Sequence, residues 1–475
     1  MRCAKLSLFC VMKSDIIVIG AGAAGLMAAY FAAKTLVESG SSAQVTLLEK
    51  MPRPARKIMI TGRGRCNFTN MKDWNDFSLH IKTKSNFVKN AYYNFTSEKV
   101  FEFFESHGVP AVVERGDRAY PASSHASDVV DCLVNACNSY GVKIVCEAEV
   151  KTVRKREEGG FALGLADGTQ YLCSKLIVST GGLSYPGTGC TGDGYRWAEE
   201  LGHSIVSLFP SLTALVPSNY KLLESKDLHI HRQTPLSETG KLLCGIQLKN
   251  VGVQLYVQSD LVQDEFGDLD FTDGGIEGPI GYLLSRKAVK SLINGSKVSL
   301  VLDMKHGVSL TELTLRVKEL WAEVDKDPRS RNLREKEKCR ILLGKLMPWD
   351  LIPAFVACNP GIITLERKSR TQTKVWINLP TIAKALKAWR FDIVGYVGYE
   401  RAVVTAGGVS TDEFFPKTME SRRLDGLYMC GEVLDIDADT GGYNLQLAFA
   451  TGRLAGESAA KSLSSDLRLT VSKSQ

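Results

Sequence analysis

The feature that most constrains the fold of this chain is a short apolar run that ends in closely spaced glycines. The segment from Asp15 reads DIIVIGAGAAGLMAAYFAAK, a run of strand length followed by Gly20-x-Gly22-x-x-Gly25 and an alanine-rich helical stretch. Gly20 permits a tight turn, Gly22 lets the backbone approach a pyrophosphate, and Gly25 lets the helix pack closely on the strand. The helix N-terminus presents N–H groups and a positive dipole to the same phosphates. The pattern predicts the strand–turn–helix unit of a dinucleotide-binding fold.

An acidic residue follows at the end of the next predicted strand. The run from Gln44, QVTLLEK, places Glu49 at its carboxyl end, 29 residues after Gly20. A carboxylate at this point can accept hydrogen bonds from the hydroxyls of an adenosine ribose. The spacing exceeds the usual value of about 20 residues because the helix and the loop after it are longer. A second GxGxxG, at 187–192, follows a Tyr-Pro pair rather than a strand, so one dinucleotide half-motif is predicted.

Three further stretches favour FAD over a nicotinamide dinucleotide. The first, KIMITGRGRCNFTN from Lys57, is suited to wrapping an extended ligand with backbone amides and a guanidinium. The second, residues 147–182, predicts a β-meander where NAD domains have a helix. The third, from Leu427, predicts a strand, an acidic loop, a glycine pair and a long helix. The N-terminus of that helix can stabilise negative charge on a reduced flavin, and Glu432 can accept ribityl hydroxyls.

Taken together, these motifs resemble the bacterial HI0933-like flavoproteins, also called the BaiN-like or aminoacetone-oxidase-type FAD-binding family. The resemblance runs almost end to end and includes segments that begin at Arg118, Phe271 and Val404. It implies an α/β fold, in which a Rossmann-like FAD-binding domain of the glutathione-reductase type is interrupted by a β-barrel-like domain and a helical insert. The chain departs from the family pattern at Arg63, where glycine is usual, and at Cys430, where a small residue is usual.

The distribution of strand-like and helical patterns agrees with an interrupted FAD domain. Short strand-like runs start at Ser211, Lys241 and Lys297, and the leucine spacing becomes helical after Ser309. The predicted boundaries are 1–200 and 401–475 for the FAD-binding domain, 201–306 for the β-rich barrel-like insert, 307–388 for the helical insert and 389–400 for a strand that returns to the β-rich insert. Met12 offers an alternative start, which would make residues 1–11 an extension.

We expect FAD to be bound noncovalently by residues from all of these motifs. The predicted cofactor-binding residues are Gly20, Gly22, Ala23, Ala24, Gly25, Glu49, Lys50, Lys57, Thr61, Gly62, Gly64, Arg65, Cys66, Asn67, Val150, Thr180, Gly181, Gly182, Gly408, Gly431, Glu432, Gly442, Tyr443, Asn444, Leu445 and Gln446. No metal is predicted, because His229 and His231 form a lone HxH pair without a third ligand.

The resemblance implies reduction of a carbon–carbon double bond with NAD(P)H as transient electron donor. The protein must then supply a proton donor beside the flavin ring. Cys66 is the thiol best placed for that role, although a small packed residue in a tight loop is the alternative interpretation. Tyr443 is expected at the same site, as a ring that packs on cofactor or substrate more than as an acid.

The positive charge of the chain is concentrated in one region. Residues 281–340 contain 14 Lys and Arg against 8 Asp and Glu, a net +6 of the +7 in the whole sequence. A solvated helix face explains such a run, and a phosphate-contacting RNA surface is the functional alternative. No aromatic RNA-binding motif accompanies it. The residues of the candidate RNA surface are Arg329, Arg331, Arg334, Lys336, Lys338 and Arg340.

Two substrates linked to the family compete. A uracil of ribosomal RNA, reduced to dihydrouridine, is favoured modestly by the basic insert, and a steroid enone of the bile-acid type is the alternative. Amine oxidation of the aminoacetone type and a noncatalytic, flavin-bearing RNA-binding protein are further hypotheses. Twelve scattered cysteines without a CxxC pair, and no apolar run near the roughly 20 residues that span a bilayer, predict a cytoplasmic protein without a membrane segment. The oligomeric state is left open.

Overall fold

A computed structural model of the protein describes residues 11–367 and 373–473. Within this part the chain separates into two compact units, one formed by the chain up to Phe209 and from Val403, the other by Pro210–Ala402. Residues 1–10 of the predicted extension lie outside the described residues. Val11–Lys13 forms a strand that pairs in parallel with Gln170–Cys173.

A parallel sheet forms the centre of the first unit. Its apolar strands lie in the core and are buried on both faces, which is why they read as continuous hydrophobic runs rather than alternating ones. Every residue of Ile16–Ile19 is buried. The spatial order of the strands is Leu427–Met429, Lys175–Val178, Ile16–Ile19, Val45–Leu48 and Lys143–Val145.

Smaller sheets flank this centre. Val150–Lys155, Phe161–Leu165 and Gln170–Cys173 form the antiparallel meander. Further pairings join Thr69–Asn70 and Ala111–Glu114 to Arg118–Pro121, and Ile205–Ser211 to Val404–Val409. The α-helices of this unit are Ala23–Glu38, Arg56–Ile60, Trp74–Leu79, Ser85–Asn94, Ser97–Ser106, Ala126–Ser139, Asp193–Glu200 and Tyr443–Lys473, and its 3₁₀ turns are Thr61–Gly64, Pro186–Thr188, Thr411–Glu413 and Gly431–Val433.

The C-terminal helix Tyr443–Lys473 packs backbone to backbone on the first helix, Ala23–Glu38. A Cβ atom on Gly452 would lie 2.3 Å from the carbonyl oxygen of Ala24, and one on Gly456 would lie 2.1 Å from that of Ala28. Positions four residues apart share one helix face. The two glycines therefore form a contact stripe that only glycine permits.

Strands of the second unit close into a barrel. Leu215–Pro217 pairs at one side with Ile276–Glu277 and at the other with Trp389–Val397. The strands between these two partners are, in spatial order, Asp260–Phe271, Gln247–Val257 and Val298–Asp303, and they complete the ring. The short strand His229–Ile230 pairs with Trp389–Val397.

Two helices lie where the sequence patterns predict strands or a β-rich stretch. Residues 241–243 end the helix Glu238–Leu243, and the strand expected from Lys241 starts at Gln247. The helical conformation is favoured here because Ser237 is its N-cap: the Ser237 hydroxyl oxygen accepts from the Gly240 N–H at 3.1 Å. Gly278–Ile293 forms a long helix against the barrel strands.

The predicted helical insert contains helices and one hairpin. The helices are Leu310–Lys326, Glu335–Gly344, Ile352–Cys358 and Leu379–Lys387, with 3₁₀ turns at Pro328–Ser330, Trp349–Leu351 and Pro360–Ile362. Ser309 and Glu312 form a capping box at the start of the first helix. Ile363–Arg367 and Thr373–Ile377 pair as antiparallel strands, which the leucine period does not predict. Isoleucine, threonine, valine and tryptophan in these runs favour strand over helix.

No helix in residues 11–367 and 373–473 combines the length and apolar character needed to cross a membrane. Every cysteine in these same ranges carries an unbridged thiol.

Candidate cofactor site

The turn between the first strand and the first helix is built from glycine contacts. A Cβ atom on Gly25 would lie 1.8 Å from the Gly20 carbonyl oxygen, and one on Gly20, whose φ is +97°, would lie 2.7 Å from that of Ser179. Gly22, the N-cap, is different, because a Cβ there would meet no protein atom within 4 Å. No side chain caps this helix, so the first-turn N–H groups at Ala23 and Ala24 are available to a ligand. The open space and the N–H groups fit a pyrophosphate.

Glu49 is held by backbone groups on both sides. One carboxylate oxygen accepts from the Ala21 N–H and the other from the Met51 N–H, each at 2.8 Å. Burial raises the pKa of this carboxyl, and the two N–H donors oppose that rise. The Ala148 N–H donates to the Glu49 carbonyl oxygen at 2.8 Å. This bond holds the start of the meander, where Val150 is buried, next to Glu49. The carboxylate is thus fixed where a ribose would be bound.

The predicted contact of Lys50 with the cofactor competes with a protein contact. Its ammonium donates to Asp193 Oδ2 at 2.6 Å and to the Thr191 hydroxyl. This ion pair connects the end of the strand Val45–Leu48 to the helix Asp193–Glu200.

The glycine-rich loop after Lys57 has a left-handed backbone at several positions. Gly62 and Gly64 have φ values of +56° and +86°, and the non-glycine residues Arg63 and Cys66 share this region at +58° and +57°. Arg63 therefore keeps the conformation that glycine favours at the position where the family usually has glycine, at a cost of about 1–2 kcal/mol. Arg65 pairs with Glu114 and covers the Tyr120 ring at 4.3 Å. Thr61 donates its hydroxyl to the Ile58 carbonyl oxygen at 2.7 Å.

An ion pair joins this loop to the C-terminal motif. Lys57 Nζ lies 2.7 Å from Glu432 Oε2, and Glu432 Oε1 accepts from the Thr405 N–H at 2.9 Å. Burial lowers the pKa of Lys57, but the charge and hydrogen bond of Glu432, together with Cys190 and Tyr185, raise it by more, so the pKa is raised. The Thr405 hydroxyl oxygen accepts from the Leu183 N–H at 2.8 Å and would lie 2.4 Å from a Cβ on Gly182. Thr405 lies in the segment that begins at Val404, but it is not among the predicted cofactor-binding residues.

Two buried polar atoms of the predicted cofactor residues have no partner among the described residues. They are Asn67 Oδ1 and Thr180 Oγ1. Buried polar groups are almost always hydrogen-bonded, and a bound ligand is one source of the missing partner. Asn67 Oδ1 would lie 2.9 Å from a Cβ on Gly442, which places it at the start of the last helix. These atoms, with the open first-turn N–H groups, are the features of this chain that fit FAD.

The start of the last helix is fixed by its own polar side chains. Asn444 accepts from the Ala438 N–H at 2.9 Å, and Gln446 accepts from the Thr69 hydroxyl and donates to the Phe95 carbonyl. These two predicted ligands are therefore occupied by protein contacts, and what the helix start can offer a cofactor is its backbone N–H groups, from Tyr443 to Leu445.

Glycines at the remaining predicted positions allow close approaches. A Cβ on Gly431 would lie 2.8 Å from that of Ala24, and one on Gly442 would lie 2.4 Å from the Thr69 carbonyl oxygen. A Cβ on Gly181 would lie 3.0 Å from the Cys190 sulfur, and one on Gly408 would lie 2.6 Å from the Leu434 carbonyl carbon.

Both predicted catalytic residues are buried. The Cys66 side chain has no exposed surface, and burial raises its pKa to about 12 despite an opposing hydrogen bond with Thr61. Tyr443 is also buried, and burial, followed by the Asp439 charge, raises its pKa. Both groups are protonated at neutral pH, and the prediction that either acts in catalysis stays a prediction.

A histidine that the sequence reasoning missed lies against Tyr443. The His80 and Tyr443 rings stack with centroids 4.3 Å apart and planes 20° from parallel. His80 Nδ1 is 3.0 Å from Asp439 Oδ2, and Lys82 Nζ is 2.7 Å from the same carboxylate oxygen. No local motif marks His80, because its partners are far away in the sequence.

The candidate RNA surface in the second unit is partly neutralised. Arg329, Arg334 and Lys338 each lie 2.7 Å from a carboxylate oxygen, of Asp327, Glu337 and Asp325 respectively. The Arg340 guanidinium is 5.8 Å from the centre of an indole ring. Arg331 and Lys336 are exposed and make no ion pair within the described ranges. No cluster of His, Cys, Asp or Glu suited to a metal occurs in the part of the chain that the structure covers.

The parallel sheet, the glycine turn, the meander and the helix start beside Asn67 define a Rossmann-type flavoprotein, and with it an FAD-dependent oxidoreductase. The chain belongs to the HI0933-like family, whose model, described as the HI0933-like protein Rossmann domain, matches residues 14–458. The family and the α/β FAD-binding fold predicted from the sequence are confirmed.

Similar proteins carry different names. The chain is 30% identical to a 3-dehydro-bile acid delta(4,6)-reductase of Clostridium scindens, over 94% of this chain and 98% of the relative. It is also 30% identical to a ribosomal RNA dihydrouridine synthase of Haemophilus influenzae, over 92% of this chain and 96% of the relative. Among solved structures, the Sdh1 complex of Mycobacterium smegmatis is similar with a TM-score of 0.48 and 14% identity, over 96% of this chain and 69% of the other.

Proposed function

We propose that this oxidoreductase reduces an activated carbon–carbon double bond with electrons from NAD(P)H, and that its substrate is a uracil of ribosomal RNA in the cytoplasm. The observation that carries the proposal is a set of features that fit a bound flavin: uncapped N–H groups at the start of Ala23–Glu38, and two buried oxygens, on Asn67 and Thr180, without a hydrogen-bond partner among the described residues. A relative similar over nearly its whole length is named a ribosomal RNA dihydrouridine synthase, which supports the choice of substrate.

Bound FAD supplies a group that accepts and returns a hydride. The net reaction oxidises NAD(P)H to NAD(P)⁺, adds the hydride to one carbon of the uracil double bond and adds a proton to the other. The N–H groups at the start of Tyr443–Lys473 stabilise negative charge in the site. The Lys57–Glu432 pair holds the glycine-rich loop against the C-terminal motif.

Tyr443 is the proton donor in this proposal, and His80 positions its ring. The phenol is protonated at neutral pH because burial raises its pKa. The His80 ring stacks on Tyr443 and lies 3.0 Å from Asp439 through Nδ1, so it fixes the orientation of the phenol ring. Cys66 is the alternative donor, although its thiol is fully buried.

A second candidate function is reduction of a steroid enone. Met59 and Ile60 are exposed directly before the loop Thr61–Gly64. Val112 and Val113 are exposed on Ala111–Glu114, the strand whose Glu114 pairs with loop residue Arg65. Apolar surface beside a cofactor loop suits an apolar ring system. The Clostridium scindens relative is named a bile acid reductase.

Flavin absorbance separates these functions. The yellow protein is bleached with NADPH without oxygen, and unmodified ribosomal RNA or a steroid dienone is then added. Recolouring by RNA, with dihydrouridine found by mass spectrometry, supports the proposal. Recolouring by the dienone alone selects the second candidate, and hydrogen peroxide formed from aminoacetone would select the oxidase. RNA binding without any recolouring would leave a binding protein.

The proton donor has its own test. We expect Tyr443→Phe to lower kcat by about 100-fold or more and to leave flavin content unchanged, because the phenyl ring keeps the stack with His80 but carries no proton. Cys66→Ala is the matched control and should keep most of kcat. The opposite ranking of the two variants would assign the proton to the thiol.

A further inference from the structure

Two tryptophans that are distant in the sequence lie at the surface of the helical insert. Trp349 is 51% exposed and Trp376 is 47% exposed. Trp197 and Trp389, in contrast, are almost completely buried. Aromatic side chains of this size contribute most when they are covered, so two indoles left in water beside cations are candidates for a binding surface.

The Trp349 ring is fixed against the end of the helix Glu335–Gly344, which carries Lys336, Lys338 and Arg340 and is called the basic helix below. A Cβ on Gly344 would lie 2.4 Å from Cζ2 of Trp349, so the indole lies directly on the last turn of Glu335–Gly344. The Arg340 guanidinium, one turn earlier, is 5.8 Å from the centre of this indole. One side of the ring packs on the helix, and the exposed side remains available for stacking.

The Trp376 ring is fixed by a different set of contacts. Its indole N–H donates to Glu366 Oε2 at 2.8 Å across the hairpin. Lys374 Nζ, two residues earlier on the same strand face, lies 3.6 Å from the ring centre. The ring is thus oriented before any ligand arrives, and the cation lies over one of its two faces, which leaves the other face for stacking.

The fold brings this hairpin to the basic helix. The strand Thr373–Ile377 packs against Glu335–Gly344, which also carries the exposed Lys336, a residue without an ion pair among the described residues. The sequence alone shows a basic run without aromatic residues. The structure adds an indole at the end of the helix and a second one on the strand that the helix contacts.

We propose that Trp349 and Trp376, with Arg340 and Lys374, form a platform that binds an unpaired stretch of ribosomal RNA. The four residues are called the tryptophan platform below. Unpaired bases stack on aromatic rings, whereas bases in a duplex are already stacked on each other. Cations beside the rings match the phosphates between successive bases. The inference rests on the proposed function, because it assumes that RNA is the substrate.

Binding to a single-stranded RNA tests the platform. Holoprotein is titrated into a fluorescein-labelled, mixed-sequence 12-nucleotide RNA, and the same RNA in duplex form serves as the second probe. We expect Trp349→Ala and Trp376→Ala each to weaken single-strand binding by about five- to a hundredfold, and the duplex to bind wild type more weakly than the single strand does. Trp376→Phe should restore most of the affinity, since it keeps an aromatic face.

Phe266→Ala is the matched control. Phe266 is another exposed ring of the same unit, 55% exposed and in contact with His306. Its removal should leave RNA affinity unchanged. Equal affinities of wild type and the Trp349→Ala/Trp376→Ala double variant, at equal melting temperature and flavin content, would overturn the platform. Equal binding of duplex and single strand by wild type would also overturn it.

Failure of the platform and failure of the proposed function give different results. If wild type forms dihydrouridine and the double variant does so with the same kcat/KM, the platform alone is wrong. If wild type neither binds the RNA nor is recoloured by ribosomal RNA, the proposed function is wrong and the platform falls with it.

Discussion

The two units of this protein are built for different kinds of contact. In the first unit the decisive positions are glycines whose missing Cβ lets backbone meet backbone, as at Gly25 and Gly456. In the second unit the candidate binding groups are side chains in water, such as Lys336 and Trp376. A dinucleotide site binds its ligand through a fixed backbone shape, whereas an RNA surface binds through charged side chains and exposed rings. Substitutions in the first unit should therefore change folding or cofactor content, and those in the second should change binding alone.

The glycine turn offers the largest effect. We expect Gly25→Ala to destabilise the protein by at least about 3 kcal/mol, because its Cβ would lie 1.8 Å from the Gly20 oxygen. The gain of about 1 kcal/mol in helix propensity is too small to offset this overlap. Thermal unfolding and flavin content of the purified protein measure the loss.

Gly22→Ala is the matched control for this prediction. Its Cβ enters space with no protein atom within 4 Å, so the apoprotein should melt as wild type does. FAD affinity should fall by about tenfold or more, since the methyl group would stand where the pyrophosphate approaches. Normal FAD binding by this variant would contradict the assigned position of the phosphates.

The glycine stripe between the long helices offers a smaller effect. Gly456→Ala should cost about 1–3 kcal/mol, since its Cβ would lie 2.1 Å from the Ala28 carbonyl oxygen and the two helices must separate. Differential scanning calorimetry measures the change. Gly187→Ala, where no protein atom lies within 4 Å, should stay within about 0.5 kcal/mol of wild type. Equal melting temperatures for the two variants would show that the helix contact adapts to a methyl group.

The smallest expected effect is on RNA binding by the second unit, and it concerns two lysines of the basic helix. Lys336→Ala should lower the salt dependence of RNA binding by about one phosphate contact, because Lys336 is exposed and unpaired within the ranges the structure covers. Lys338→Ala should leave that slope unchanged, since its ammonium is held by Asp325 and Glu335. Affinities of both variants over a range of KCl concentrations measure the slopes. Identical slopes would mean that only the net charge of the helix matters.

The sequence predicts the backbone-built part of the molecule well, because its signals are local. Strand, glycine turn and helix follow one another within residues 15–38, and Glu49 comes at the next strand end. His80 carries no such signal, because its partner Asp439 is brought close only by folding. Thr405 lies in the segment that begins at Val404, but its contact with Glu432 also depends on folding.

The second unit shows the same limit. Helical leucine spacing indicates the helices of the insert but not the strands Ile363–Arg367 and Thr373–Ile377, whose runs are too short for a clear period. At 241–243 a capped helix replaces the predicted strand, since a short apolar run fits both structures. Which cations remain unpaired also depends on carboxylates whose orientation the sequence does not give.

The edge strand Leu427–Met429 completes the parallel sheet beside Lys175–Val178, and the chain then runs through Gly431 to the helix that covers Ala23–Glu38. During synthesis, the phosphate-binding turn near the start of the chain therefore leaves the ribosome hundreds of residues before the strand and helix that finish its site. A nascent chain that stops before residue 427 exposes the apolar face of the first helix and one side of the sheet. The cofactor site is thus complete only when residues 427–446 have folded onto the first helix and the sheet.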